Sequence, residues 1–159
     1  MPYLTTPAGG GGLDALGRVL GCLGNVGARI NPLRRSYRSR NPAKIEKVLQ
    51  PVALAGMYAW VLEEDGVFRI IIYRGSKYRV EKKRVWRSDN LSGLRIRLVI
   101  LEGYVDGRLV WRTVWRATQY SVEFPETPDV EVLLGPGGPR VFSRDPGLRE
   151  EIISLLEKC

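Results

Sequence analysis

Asp106-Gly107, set between two alternating runs, marks the middle of this chain as a β-hairpin. Both central residues of a type I′ turn need positive φ, which Asp tolerates and Gly adopts freely, and the twist of that turn matches the twist of paired strands. With a two-residue loop, Val105 faces Arg108, and the register follows down both arms over residues 94–118. One face then carries Ile96, Leu98, Ile100 and Tyr104 opposite Ala117, Trp115, Thr113 and Leu109, with Trp111 beside Glu102. The other carries Arg95, Arg97, Arg108, Arg112 and Arg116, with Val99, Leu101, Val110 and Val114 between them. The first face can build a core. The second offers guanidinium groups on a rigid support, and guanidinium forks grip phosphate bidentately. In this register Arg97 stands opposite Arg116, a like-charge pair that destabilises a sheet unless a countercharge reaches it.

The charge balance points the same way. The chain has 25 Lys+Arg against 17 Asp+Glu, a net charge of +8 and a pI near 9.8. The charge is also blocked: seven basic residues and no acid lie between Asp14 and Glu46, and ten basic residues lie from Arg69 to Arg97 against Glu81 and Asp89. The segments 46–68 and 98–159 are each mildly acidic. Blocked charge gives a sided surface, which steers a polyanion: nucleic acid, an anionic membrane surface or an acidic protein. Arginine outnumbers lysine nineteen to six, and there is no histidine. The same bias fits a hot-living host, whose proteins avoid labile residues.

Cys22 and Cys159 lie near opposite ends. Their spacing forms no disulfide framework and no zinc site, so reduced thiols and a cytoplasmic location are expected, with a single bridge tying the ends as the alternative. The N-terminus begins without Lys or Arg, and its Leu/Gly stretch is broken by Asp14 and Arg18, so no secretory signal is expected. The longest uncharged part of that stretch, 19–28, is far short of the roughly 20 residues a membrane span needs, so no membrane partner is expected.

Along the chain, residues 1–41 read as a flexible basic extension and 42–159 as one globular domain. The extension opens on a glycine-rich tail over 1–12 and holds a marginal helix over 13–24, where Leu13, Leu16, Leu20 and Leu23 recur at helical spacing. Gly17 and Gly21 weaken that helix and offer a close approach to another, so it suits docking on a protein partner. Residues 25–41 read as irregular. Asn41-Pro42 opens a helix that Pro51 ends, and Asp145-Pro146 opens a C-terminal amphipathic helix with Leu148, Ile152, Leu155 and Leu156 as its stripe. Strands are expected at Met57–Glu64 and Val67–Arg74 around Asp65-Gly66, then at 77–86, in the arginine hairpin, at 120–124 as a prolongation of its second arm, and at 130–134. A polar loop covers 88–93. The sum is an α+β fold: an antiparallel meander of five or six strands with short N-terminal helices and one C-terminal helix.

Three groups of residues suit a nucleic acid. Arg95, Arg97, Arg112 and Arg116 form the sheet platform. Arg34, Arg35, Arg38 and Arg40, with Tyr37 at their centre, form an arm that neutralises phosphate and stacks on a base. Trp60 and Tyr73, with Arg69, share one face of the first hairpin, either as core or as a stacking surface. Nothing here reads base edges, so the expected ligand is single-stranded or structured RNA or DNA.

Other chemistry is weaker. Glu63 and Glu102 fall on apolar faces close to their turns and are expected to reach solvent at strand ends. The glycine run 135–138 lacks the Gly-Lys-Ser/Thr ending of a phosphate loop, and no cofactor is expected. With no histidine, the usual catalytic triads are absent. Asp65 followed by Glu81-Lys82-Lys83 resembles the restriction-endonuclease-like nucleases, and the resemblance implies carboxylates holding a divalent metal with a lysine supporting the attacking water. It departs from that pattern in the charged strand around Glu81. The expectation is therefore a non-catalytic nucleic-acid-binding protein. The alternatives are an adaptor subunit of a virion or ribonucleoprotein and a metal-dependent nuclease.

Overall fold

The computed structural model describes residues 10–25, 30, 32–88 and 93–159. In chain order the elements are α1 (Gly10–Cys22), β1 (Ser36–Arg38), α2 (Pro42–Val48), β2 (Val52–Leu54), β3 (Met57–Glu64), β4 (Val67–Arg74), β5 (Tyr78–Ser88), β6 (Arg95–Val105), β7 (Arg108–Arg116), β8 (Gln119–Glu123), β9 (Val130–Gly135), β10 (Gly138–Phe142) and α3 (Pro146–Glu157). The fold is α+β, with antiparallel strands in two sheets of five and a C-terminal helix. The chain forms two compact units. The first comprises Met1–Leu33, Pro51–Gly75 and Pro128–Cys159; the second comprises Arg34–Gln50 and Ser76–Thr127. The stretch 1–41, read from composition as one extension, is thus divided: α1 belongs to the first unit and β1 to the second. Most of the tail over 1–12 and most of the loop at 88–93 lie outside the described residues.

In the first unit the sheet order is β10-β9-β4-β3-β2. The β3–β4 hairpin has the register its sequence implies, with Ala59 opposite Ile72, Val61 opposite Ile70 and Tyr58 opposite Tyr73. Asp65 and Gly66 take φ of 51° and 77°, the two positive values a type I′ turn requires. Both faces of this hairpin are apolar, and it occupies the middle of its sheet. On one face Ala59, Val61, Ile70, Ile72, Val130 and Val132 make a core with Leu16, Val19 and Leu20 of α1 and Leu148 and Ile152 of α3. The stripe expected to recruit a protein partner is therefore spent within the unit, and only Leu13 of it stays exposed. Gly17 and Gly21 meet nothing closely; the glycine in close approach is Gly12, where an added Cβ would lie 3.2 Å from the Phe68 ring. Asp145 caps α3 by accepting from the N–H groups of Gly147 and Leu148 at 2.9 and 3.2 Å.

The packing of α1 and α3 into one core also brings the cysteines together. Cys22 and Cys159 are disulfide-bonded, with Cα atoms 5.9 Å apart. The expectation of two reduced thiols is overturned because sequence separation says nothing about tertiary neighbours. The bridge ties the end of α1 to the last residue of the chain.

In the second unit the order is β1-β8-β7-β6-β5. The β6–β7 hairpin starts in the expected register, Val105 opposite Arg108 and Tyr104 opposite Leu109, with φ of 47° and 81° at Asp106 and Gly107. The register then shifts by one: Gly103 pairs with Trp111 and Glu102 with Arg112, leaving Val110 as the extra residue of a β-bulge. The cause is steric. A Cβ on residue 103 would lie 2.1 Å from Trp111 Nε1, so the indole occupies the space a side chain there would fill. Its N–H donates to the Tyr78 hydroxyl at 3.1 Å, and that hydroxyl is 3.5 Å from the Leu49 carbonyl just after α2. Past β7, Ala117 takes φ of 54°, and with Thr118 it turns the chain back, so 119–123 forms the new strand β8 instead of prolonging β7. Asn41 caps α2 by accepting from Ala43 N–H at 3.0 Å.

Two stability tests follow. A bridge closing a loop of sequence separation 137 contributes up to about 5 kcal/mol on the chain-entropy account, so reduction, or Cys159→Ser, lowers the urea midpoint by a matching amount. A midpoint insensitive to reductant refutes this. Gly103→Ala forces the Trp111 ring out of place and costs roughly 3 kcal/mol in the same measurement; an unchanged midpoint shows that the indole is not what sets the bulge.

Candidate nucleic-acid interface

A one-residue bulge reverses the faces of everything beyond it, because side chains alternate along a strand. On one face the register now aligns Arg95, Arg97, Val99 and Leu101 of β6 with Trp111, Thr113 and Trp115 of β7 and with Lys82, Arg84 and Trp86 of β5. The other face aligns Leu98, Ile100, Glu102 and Tyr104 of β6 with Arg112, Val114 and Arg116 of β7 and with Arg79, Glu81, Lys83 and Val85 of β5. The platform expected from the sequence is thus divided. Arg95 and Arg97 lie on one side, Arg112 and Arg116 on the other. The like-charge pair disappears as well, since Arg97 has Trp86 as its partner in β5 and Arg116 pairs with Gln119 in β8.

The side holding Arg112 and Arg116 carries mixed charge. Arg112 stands in register between Glu102 of β6 and Glu123 of β8. Glu102 is buried, contrary to the expectation that it reaches solvent, and Lys83 Nζ lies 2.7 Å from its carboxylate, which raises the lysine's pKa. Glu63 is exposed. Arg79 is ion-paired with Glu81, and that hydrogen bond lowers the carboxyl's pKa. Its guanidinium also sits 4.3 Å from the centre of the Tyr104 ring.

The basic arm is partly built into the sheet. Its centre is strand β1, with Tyr37 opposite Tyr120 and Arg38 opposite Gln119. The Tyr37 hydroxyl accepts from the Arg34 N–H at 2.7 Å, and burial raises the phenol's pKa. Tyr37 is therefore tied down, while Arg34, Arg35, Arg38 and Arg40 are exposed.

The third group is withdrawn from the interface. Trp60 and Tyr73 are 1% and 0% exposed and meet edge-to-face with ring centres 5.8 Å apart. They are core residues, as aromatics at alternating positions of a central hairpin tend to be. Arg69 is held by Glu131 and lies 3.7 Å from Glu64; the Glu131 bond raises its pKa, and its charge is answered internally.

What the structure does bring together is a different cluster. The pairing of β7 with β6 begins at Val99, whereas β5 pairs with β6 out to Arg95. Residues 85–88 and 95–98 thus form a two-stranded ribbon beyond the third strand. Trp86 is 58% exposed on it. The Arg95 guanidinium carbon lies 5.3 Å from the centre of the Trp86 ring, and Arg97 is its cross-strand partner. Arg84 and Lys82 continue the same face and are exposed. Among the described residues, Arg84, Arg95 and Arg97 have no carboxylate within ion-pair distance. Sequence reasoning missed Trp86. The signal was the alternation Lys82, Arg84, Trp86 within a strand that reads only as charge-rich.

Charge is also divided between the units. The second unit has seventeen basic residues against seven acidic, net +10, while the first has eight against ten, net −2. Compared with protein-family models, curated proteins and solved structures, the chain matches none of them.

Asp65 is a turn residue at positive φ in the first unit, whereas Glu81 belongs to the second and is paired with Arg79. Among the described residues no group of three or more His, Cys, Asp or Glu could hold a metal ion. No helix among them is long and apolar enough to cross a membrane.

Proposed function

We propose that the second unit binds nucleic acid without catalysing a reaction on it, gripping phosphate along the β5–β6 ribbon. The observation that carries this reading is the run of cations that no described carboxylate answers, Lys82, Arg84, Arg95 and Arg97, on one face of a unit with a net charge of +10. Guanidinium groups carried on paired strands offer bidentate bonds to phosphate, and each planar fork is pre-organised, so less entropy is lost per hydrogen bond formed. Arg34, Arg38 and Arg40 extend the positive field on exposed chain of the same unit. Arg112 and Arg116, set among Glu102 and Glu123, contribute less. The ligand is single-stranded or structured RNA or DNA, since the interface offers phosphate contacts and, among the described residues, no array of amide or carboxylate groups beside them for reading base edges. The location fits a cytoplasm in which the Cys22–Cys159 bridge survives, as intracellular disulfides do in hot-living organisms, and the arginine-rich, histidine-free composition agrees.

Fluorescence anisotropy with a labelled single-stranded oligonucleotide over a salt series tests this. Four phosphate contacts give a log–log slope of about −3 on a single strand, and each of Arg84→Gln, Arg95→Gln and Arg97→Gln flattens it by about 0.7. Arg112→Gln changes it less. A slope near zero, or no binding at low salt, rejects the proposal.

A further inference from the structure

We infer that Trp86 is a stacking platform for an unpaired base, so that the ligand is a single strand or an unpaired loop in preference to a duplex. This deepens the phosphate-binding reading and rests on it. A tryptophan contributes to stability by leaving water, and Trp86 leaves more than half of its surface in water on a strand whose neighbouring same-face positions are Arg84 and Ser88. Solvation therefore argues for a polar residue at this position, and packing gives no reason for an indole. Its surroundings do. Arg95 approaches the ring at 5.3 Å, Arg97 faces it across the ladder, and Arg84 precedes it on the same face. An indole framed by guanidiniums meets both parts of a nucleotide: the ring takes the flat face of a base, and the cations take the phosphates on either side.

The ribbon's position matters as much as its composition. It extends past the end of β7, so among the described residues no third strand pairs beside the ribbon there. A base inside a duplex is already stacked above and below, and its face reaches Trp86 only after it has been pulled from the helix. An unpaired base presents that face directly. Every base has such a face, so the platform distinguishes single strand from duplex while tolerating any sequence.

The test uses the full chain, a labelled oligothymidylate and a duplex of the same length. Trp86→Ala weakens single-strand binding about tenfold or more, and leaves both the salt slope and the duplex affinity as they were. Trp86→Phe retains most of the single-strand affinity, because a ring remains. Unchanged urea midpoints confirm that both variants are folded, as expected for an exposed position. Single-strand binding by Trp86→Ala equal to the parent overturns the stacking inference and leaves the phosphate reading standing. Equal loss for single strand and duplex, or a flattened salt slope, overturns it too. A parent protein that binds neither ligand at low salt overturns both.

Discussion

The indole of Trp111 occupies the place where a side chain on residue 103 would be, and the arrangement of the second unit depends on that contact. Glycine at 103 lets the ring lie on the backbone. The ring then needs a partner for its N–H, and Tyr78 supplies it from β5, on the far side of β6. Seating the ring in this way costs one unpaired residue, Val110, and that single residue decides which side chains share a surface for the rest of the ladder. Without the bulge, Arg97 and Arg116 would face each other across adjacent strands. With it, no arginine of β7 stands opposite Arg97, whose partner in β5 is Trp86, and the cation at 112 lies between two carboxylates. A steric fit in the interior therefore does electrostatic work at the surface.

The consequence is two kinds of positive charge in one sheet. On one side cations alternate with Glu81, Glu102 and Glu123. On the other, Lys82, Arg84, Arg95 and Arg97 gather where no described carboxylate answers them. Like charges held together destabilise a fold, so a concentration of this kind needs a rigid support. The β5 ladder provides one: eleven residues of it pair with β6. The first unit rests on other terms, an apolar hairpin covered on one face by α1 and α3 and a disulfide between Cys22 and Cys159.

Much of this was legible in the sequence, and the part that was not has physical causes. Turn chemistry is local, so Asp65-Gly66 and Asp106-Gly107 located both hairpins, and the β3–β4 register followed residue for residue. Cap chemistry is local too, and Asn41-Pro42 and Asp145-Pro146 opened their helices as expected. The arginine faces failed because parity is carried along a strand, and one bulge inverts every later assignment. Gly103 was the visible warning, since an isolated glycine in a strand marks a bulge or a close approach. The disulfide was out of reach because it depends on two helices converging on one core. Trp60 and Tyr73 show a third limit: alternation places residues on a face but does not say whether that face is covered.

Trp86 shows what remains readable once the faces are known. Its same-face neighbours along β5 are Arg84 and Ser88, and its partner across the ladder is Arg97, so neither periodicity nor hydrophobicity marks it as core. A residue that fits no structural rule at its position is where function is expected to override the rules. The chemistry around it also limits what that function can be. An indole recognises flatness and guanidiniums recognise phosphate charge, properties all nucleotides share, and reading a base would require one of those guanidiniums to be fixed at its edge. On the proposed reading, the ribbon holds a strand through its phosphates and senses through Trp86 whether a base is unpaired.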